Sequence, residues 1–316
     1  MECTTSANCT AVATKPICDA NQCRGCKKDS ECVGVSSAGV CGLDFSCPGD
    51  ANVIYVQNSS LCSTSIRGSG SATSPFCFPD DAALALSASK SVIVVHGTVG
   101  PTAALVFNLT GQPVLVAGQA SATIKPPAGG MPPVVSITAG EVTLRDVTIS
   151  GGGDTGISVT GGAILHMDRC FVLNNQGIGV LTNASAFDIV NTVIAGNGAG
   201  TGVNGVSLGA YTGTGPTKLA FNTVVGNVGL GVYCGANYVV TGILANGNGT
   251  GDLSANCRFD ATTSTAAPAF SSVAYHLSAA SPCVDAAGAV CPPDDIDGDL
   301  RPQGAACDCG ADEYKP

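Results

Sequence analysis

The acidic stretch DIDGD near the C-terminus holds carboxylates whose spacing could bind a metal ion. Asp295, Asp297 and Asp299 occupy alternate positions, as in the first half of an EF-hand calcium loop. A complete loop has a bidentate glutamate at its twelfth position, and counting from Asp295 that position is Ala306. A calcium site at the three aspartates is therefore one interpretation, and calcium is the only cofactor that the sequence suggests.

The favoured interpretation of the same stretch is structural. The last coil of a stacked fold exposes strand edges that must be protected, and an irregular acidic segment suits this task. We expect Arg301 to pair with Asp297 or Asp308 and so to fix the loop. Residues 283–316 are therefore predicted to form a C-terminal capping segment.

A second group of polar residues could carry out acid–base chemistry. His166 and Asp188 occupy the same outward position of neighbouring repeats, and Asp168 and Arg169 follow His166 closely. A histidine beside a carboxylate can transfer protons, but an exposed pair of this kind is more often a surface contact. His166, Asp168 and Asp188 are therefore the candidate catalytic residues if the protein is an enzyme, and otherwise surface residues.

Two formal motif matches do not carry chemistry. Residues 205–209 fit G-x-S-x-G, which requires a strand-to-helix elbow, whereas here the serine lies in a strand-like run. Residues 200–205 fit G-x-G-x-x-G, but no helix follows them. We interpret both as glycine-rich coil.

Five related segments in the middle of the chain predict the elements that position these residues. Each contains a short apolar strand and is followed by a second short run, and the starts lie 23, 22, 31 and 19 residues apart. The segments are LRDVTISGG from Leu144, MDRCFVLNN from Met167, IVNTVIAGN from Ile189, AFNTVVGN from Ala220 and VVTGILANG from Val239. Such a period, with two or three short strands in each repeat, predicts a single-stranded parallel β-helix.

Stacked coils place equivalent residues in ladders about 4.8 Å apart. One expected inward ladder contains Leu144, Met167, Ile189 and Ala220, and the other contains Ile149, Val172, Ile194, Val225 and Leu244. The expected corner ladders, interpreted as structural, are Asn191 over Asn222, and Asn174, Asn197, Asn227 and Asn246.

Some positions expected to face outward are also apolar. They form one ladder of Phe171, Val193, Val224 and Ile243, and a second of Val190, Phe221 and Val240. A sheet that is apolar on both faces is usually covered on both. We therefore predict an interface here, occupied by the cysteine-rich module, by the C-terminal tail or by another copy of the chain.

The cysteine spacing repeats in the first fifty residues. Cys3, Cys9, Cys18 and Cys23 are matched by Cys26, Cys32, Cys41 and Cys47. Four cysteines permit three connectivities, and we predict first to third and second to fourth. A zinc site is disfavoured because only Cys23 and Cys26 have metal-ligand spacing.

The later cysteines predict four further disulfides and one thiol. Cys62 and Cys77 enclose a Gly/Ser-rich loop, and Cys234 and Cys257 lie one coil apart. Two more bonds are expected among Cys283, Cys291, Cys307 and Cys309, with their connectivity open. Cys170 shares its position with Val147 and Thr192, which predicts a buried, unreactive thiol.

Composition excludes several classes of function. The net charge of −10 argues against a nucleic-acid partner, and no apolar run is long enough to span a membrane. Seventeen cysteines indicate an oxidising compartment. We therefore expect a secreted or cell-surface protein, with an export signal removed upstream of Met1.

The chain is accordingly divided into three parts. Residues 1–50 form a cysteine-rich module, residues 51–282 a parallel β-helix with an N-terminal cap, and residues 283–316 the capping segment. One helix is predicted at residues 80–89, with Asp80 as its cap.

Three stretches carry a family resemblance. Residues 53–99, YHLSAASPCVDAAG at residues 275–288 and DIDGDLRPQGAACDCGADEY at residues 295–314 resemble secreted bacterial β-helix proteins with a choice-of-anchor Q domain. The fold that this implies is the pectate-lyase-like right-handed parallel β-helix. The clustered aspartates of pectate lyases and the NTD, DD and GHG motifs of polygalacturonases do not occur in the coils.

This resemblance implies export and surface display without specifying a reaction. The expected function is a structural, adhesive or binding role, with a protein or a surface polysaccharide as partner and possible self-association through the apolar face. The alternative is a polysaccharide lyase or glycoside hydrolase that acts along the β-helix face.

Overall fold

The computed structural model describes residues 3–9, 14–60, 62–63, 65–127, 133–200 and 202–316. In this part of the chain, short parallel strands stack into a solenoid and helix is confined to short segments. The all-β class and the disulfide-rich N-terminal module that the sequence predicts are confirmed.

The cysteine-rich module is held by disulfides around very little regular structure. It contains an antiparallel hairpin, β1 (Ile17–Asp19) and β2 (Gln22–Arg24), and 3₁₀ turns at Ser6–Cys9 and Asp29–Glu31. The bonds join first to third and second to fourth cysteines: Cys3–Cys18, Cys9–Cys23, Cys26–Cys41 and Cys32–Cys47. Ala38 and Val40 then pack on the outer side of the first coils, against Tyr55 and Val94.

The opening segment of the β-helix contains a shorter helix than the sequence predicts. A 3₁₀ turn at Asp50–Asn52 leads into the first coil, and α1 covers Pro79–Leu84. Asp80 does not cap α1, because Pro79 begins the helix and the Asp80 carboxylate accepts hydrogen bonds from Thr102. The helix buries Pro79 and Ala82 and leaves Leu84 exposed.

The coils are built from three strips of parallel strands. Flank A contains β3 (Val53–Gln57), β4 (Val92–Val99), β6 (Val114–Ile124), β8 (Glu141–Arg145), β11 (Ile164–Asp168), β14 (Ala186–Val190), β17 (Thr217–Ala220), β20 (Val239–Thr241) and β23 (Arg258–Phe259). Flank B continues from the end of β6 through β9 (Thr148–Ser150), β12 (Phe171–Leu173), β15 (Val193–Ala195), β18 (Thr223–Val225) and β21 (Leu244–Asn246). Sheet C contains β5 (Leu105–Asn108), β7 (Val135–Ala139), β10 (Ile157–Val159), β13 (Val180–Thr182), β16 (Val206–Leu208), β19 (Leu230–Cys234) and β22 (Gly251–Leu253).

The inward ladder of flank B follows the prediction in its first three coils. In the next two coils the inward residue is a direct neighbour of the predicted one. The column is Ile149, Val172, Ile194, Val224 and Ala245, all fully buried. Val225 and Leu244, expected in this column, face outward instead. On flank A the inward column likewise continues from Ile189 to Leu219 and not to Ala220.

A misleading sequence match explains this slip. The dipeptide Asn-Thr occurs at residues 191–192 and again at 222–223, but the strands pair Val193 with Thr223. Because side chains alternate between the two faces of a strand, a shift of one residue exchanges inside for outside.

A buried asparagine ladder runs along the bend after flank B. Its members are Asn175, Asn197, Asn227 and Asn248, not the Asn174 and Asn246 of the prediction. In each step the side-chain Nδ2 of one asparagine donates to the Oδ1 of the ladder asparagine that follows it in the sequence, at 2.9–3.0 Å. The Asn174 position instead supplies the left-handed backbone of the bend, with φ 54°.

A second ladder of left-handed residues turns the chain from flank A to flank B. Asp146, Arg169, Asn191, Phe221 and Gly242 occupy it, with φ between 45° and 60°. Asn191 therefore aligns with Phe221, while Asn222 lies beside Thr192 and accepts its backbone N–H at 2.9 Å. The side chains of Asp146, Arg169 and Asn191 therefore project from the same corner of three adjacent coils.

The later disulfides agree with the spacing predictions. Cys62–Cys77 and Cys234–Cys257 form, and the connectivity left open is Cys283–Cys309 and Cys291–Cys307. Cys170 is the free cysteine of the described residues, and it is fully buried.

Candidate functional site

The C-terminal tail, residues 283–316, covers the outer face of flank B. Ile296 and Ala311 pack on Val193 and Ala195 of β15. The backbone N–H of Ala311 donates to Thr223 Oγ1 at 2.9 Å, and that of Gly310 donates to the Gly242 carbonyl at 2.8 Å. The tail thus lies along the side of the solenoid, where it covers the outer face of flank B.

The residues predicted for an apolar interface divide into two groups. Phe171 and Val193 do face outward, beneath the tail, and Phe221 lies at the corner against the cluster that contains Leu277 and Cys309. Val224 and Ile243 point into the core, for the register reason given above. The chain's own tail therefore covers the outward-facing apolar residues of flank B.

A network of charged residues joins the module, the coils and the tail. We call it the charged seam, and its members are Asp29, Arg145, Asp146, Asp168, Arg169 and Asp294. Arg145 donates through Nη2 to Asp29 Oδ1 and to the Cys41 carbonyl, both at 2.6 Å, and so binds the module to β8.

Arg169 is the centre of the seam on the tail side. Its guanidinium donates to Asp146 Oδ1 at 2.8 Å, Asp168 Oδ2 at 2.8 Å and Asp294 Oδ2 at 3.2 Å. The neighbouring Asn191 Nδ2 donates to Asp168 Oδ1 and to the backbone carbonyl of Asp294, both at 3.1 Å.

The seam carboxylates outnumber the arginines and are largely removed from water. Burial raises the pKa of Asp29, Asp168 and Asp294 above their usual value, although the nearby arginines oppose the shift. Asp168, a candidate catalytic residue, thus has both carboxylate oxygens engaged in contacts that hold the coils and the tail together.

The other catalytic candidates lie on an exposed row of flank A. His166 and Asp188 are paired in register on β11 and β14, as predicted. However, His166 Nε2 lies 3.0 Å from Glu141 Oε1, and Asp188 Oδ1 lies 3.6 Å from Lys218 Nζ. Each residue therefore contacts a different partner, and the acid–base pair is not assembled.

The three aspartates predicted to bind calcium are directed to separate partners. Asp295 is fully buried and accepts backbone N–H groups from Asp297, Asp299 and Glu313. The Asp297 carboxylate lies against His276, and that of Asp299 lies against Lys315. Their oxygens do not converge on one point.

Arg301 holds the tail in a different way from the prediction. Its side chain is fully buried and donates to the backbone carbonyls of Asp308 and Gly310, both at 3.0 Å. Its carboxylate partner is Glu313, at 3.4 Å, and not Asp297 or the Asp308 side chain. The guanidinium also lies over the Phe221 ring, 5.2 Å from its centroid, and so anchors the tail to the corner ladder.

His276, Asp297 and Asp312 form a cluster that the sequence analysis did not detect. His276 Nε2 lies 2.7 Å from Asp297 Oδ2, and its Nδ1 lies 2.9 Å from the Ala274 carbonyl. Burial raises the pKa of Asp312 to about 6. For His276, burial is outweighed by the Ala274 contact and by Asp297, so its pKa is raised.

In the described residues, this cluster is the one group of three or more neighbouring ligand atoms that contains no disulfide-bonded cysteine. The other groups of neighbouring ligand atoms in this part of the chain consist of disulfide-bonded cysteines.

Ser207 of the G-x-S-x-G match lies within β16, as expected. The G-x-G-x-x-G match includes Thr201, which lies outside the described residues.

Comparisons with known proteins found a family model that matches part of the chain and a solved structure of similar fold. Residues 123–259 match the model of the family described as right handed beta helix region. The fold is a right-handed parallel β-helix. The crystal structure of pectate lyase Pel9A is similar, with 16% sequence identity, a TM-score of 0.47 and coverage of 83% of this chain and 96% of that one. The search of curated proteins found no match.

Proposed function

We propose that this chain is an exported surface or matrix protein with a structural, adhesive or binding role. The observation that carries the proposal is that other parts of the same chain pack on the outer faces of flanks A and B. The module occupies the outer face of the first coils of flank A, the tail occupies that of flank B, and polar groups between them are engaged in the charged seam. Of the groups that would perform acid–base chemistry in the alternative role, Asp168 serves here as a seam contact, and His166 and Asp188 contact Glu141 and Lys218 on the exposed row of flank A.

Export is supported by the cysteines. Eight disulfides in the described residues use sixteen of the seventeen cysteines. Bonds of this number persist in oxidising compartments and are rare in the cytosol. The resemblance of the closing motif to choice-of-anchor Q proteins agrees with display at the cell surface. In the described residues, no helix is both long and apolar enough to cross a membrane.

The proposal is tested by separating binding from turnover. The oxidised chain is screened on a glycan array, and each polysaccharide that binds is incubated with the chain and assayed for new reducing ends and for unsaturated products. We expect binding without turnover. Turnover that is lost in a His166→Asn/Asp188→Asn double variant would overturn the proposal in favour of a polysaccharide-acting enzyme.

Localisation requires a separate measurement. Antibodies against the chain are used on cell fractions and culture medium of the source organism, with non-reducing electrophoresis to identify the oxidised form. We expect the oxidised protein in the medium or at the cell surface. A reduced protein confined to the cytosol would contradict export.

A further inference from the structure

We propose that His276, Asp297 and Asp312 bind a divalent transition-metal cation, with Zn²⁺ as the reference ion. The three side chains come from the segment before the tail and from two parts of the tail, and their ligand atoms all lie within 4.8 Å of one another. Zinc is bound by histidine nitrogen and carboxylate oxygen at about 2.0–2.2 Å, so small side-chain rotations bring all three atoms onto one ion.

The orientation of the imidazole favours a cation. A backbone carbonyl can only accept a hydrogen bond, so the contact with Ala274 O requires the proton on Nδ1. In the neutral ring, Nε2 then presents a lone pair to Asp297 Oδ2 at 2.7 Å. Two acceptor atoms at this distance need a proton or a metal ion between them. A carbonyl that accepts the other N–H is also the usual way in which a ligating histidine is held.

The carboxylates provide a fixed side and an open side. Asp312 is only 4% exposed, and its Oδ2 accepts the backbone N–H of Leu277 at 2.6 Å, which fixes the group. The side chain of Asp297 is 43% exposed and leaves a path from solvent. Two carboxylates and a neutral imidazole carry a charge of −2, which a divalent cation balances.

The ligand set selects the class of metal. Calcium and magnesium take oxygen ligands, whereas imidazole suits zinc and its transition-metal neighbours. The site is therefore distinct from the predicted calcium site, although Asp297 belongs to both. A bound ion would link the bridge between Phe270 and Leu277 to the tail that covers flank B.

Isothermal titration of the EDTA-treated, oxidised full chain with Zn²⁺ at pH 7.5 tests the proposal. We expect one saturable site, and a loss of at least about 10-fold in affinity in His276→Gln and in Asp312→Asn. Asp312→Asn keeps an oxygen that can accept the Leu277 N–H, and circular dichroism checks that both variants fold.

His166→Gln is the matched control, because His166 likewise contacts a carboxylate, that of Glu141 at 3.0 Å, but belongs to no group of three neighbouring ligand atoms in the described residues. It should bind Zn²⁺ as the unsubstituted chain does. The proposal is overturned if no saturable binding is detected up to about 1 mM Zn²⁺, the weak end of metal sites in proteins. It is equally overturned if His276→Gln binds as tightly as the unsubstituted chain.

Discussion

Asp294 Oδ2 of the tail lies 3.2 Å from Nη1 of Arg169, a residue of the second sequence repeat that lies 125 positions earlier in the chain. The same guanidinium donates to Asp146 one coil below and to the adjacent Asp168. One side chain thus connects two coils with the segment that covers flank B. Its left-handed backbone, φ 50°, directs it outward at the corner where flank A meets flank B.

Arg169→Met should destabilise the protein by about 3–5 kcal/mol, because it leaves three carboxylates in a largely buried site without their cation. The substitution keeps a side chain of similar length, so most of the packing is retained. Urea unfolding of the oxidised chain, followed by circular dichroism, measures the effect.

Lys218→Met is the matched control for this substitution. Lys218 also contacts an aspartate, Asp188, but its side chain is 55% exposed. Its free energy of unfolding should change by no more than about 0.5 kcal/mol. Equal losses in the two variants would show that the seam contributes no more than an ordinary surface pair.

The seam should also make the protein more stable in mild acid. Burial raises the folded-state pKa of Asp168 and Asp294 above the ordinary 3.8, so the folded state holds protons that the unfolded state releases. Their contribution is fully present below the unfolded pKa and is lost as the pH rises through the folded values. The free energy of unfolding should therefore increase from pH 7 towards pH 4.

Asp294→Asn should make this pH dependence shallower, since it removes one of the titrating groups. Lys218→Met retains every carboxylate and should keep the slope of the unsubstituted chain. Urea unfolding at each pH unit between 4 and 7 provides the comparison. A free energy of unfolding that decreases in the unsubstituted chain as the pH is lowered from 7 to 4 would contradict the predicted sign.

The local parts of this fold could be read from the sequence, and the parts that depend on register could not. Cysteine spacing predicted six of the eight disulfides because each of these bonds closes a short loop or joins adjacent coils, whereas it left the pairing of the last four cysteines open. The repeat predicted the stacking, but the repeated Asn-Thr placed Val224 outside when it belongs in the core.

The sites are harder to predict because they join distant segments. Arg169 meets Asp294 only after the tail has folded back, and His276 reaches Asp297 and Asp312 across 21 and 36 positions of the sequence. No local pattern marks these partners. The acidic motif at residues 295–299 indicated a candidate site, but the backbone N–H groups that engage Asp295 could not be anticipated from residue types.

The asparagine ladder should be important for stability. Asn197 Oδ1 accepts the N–H groups of Asn175, and its Nδ2 donates to Asn227 Oδ1 and to the Val172 carbonyl. Asn197→Ala removes the partner of the buried Asn175 backbone N–H and one bond each from the Asn175 and Asn227 side chains, and each buried group left unpaired costs about 1–3 kcal/mol. We expect the free energy of unfolding, measured with urea, to fall by roughly 3 kcal/mol or more.

The control is Asn183→Ala, at an exposed corner. It should change stability by less than about 0.5 kcal/mol. Similar losses in both variants would contradict a special role for the ladder.

Cys170 should be inert in the folded protein. It lies in the core between Val147 and Thr192 of the adjacent coils, its Sγ is 3.3 Å from the Leu144 carbonyl, and burial raises its pKa to about 12. The reactive thiolate is therefore scarce at neutral pH, and reagents cannot reach the sulfur. A colorimetric thiol reagent should detect no thiol in the native chain and one after denaturation without reductant, and none in denatured Cys170→Ala. A native chain that reacts would show that the core opens at this coil, whereas more than one thiol on denaturation would show that a disulfide is missing.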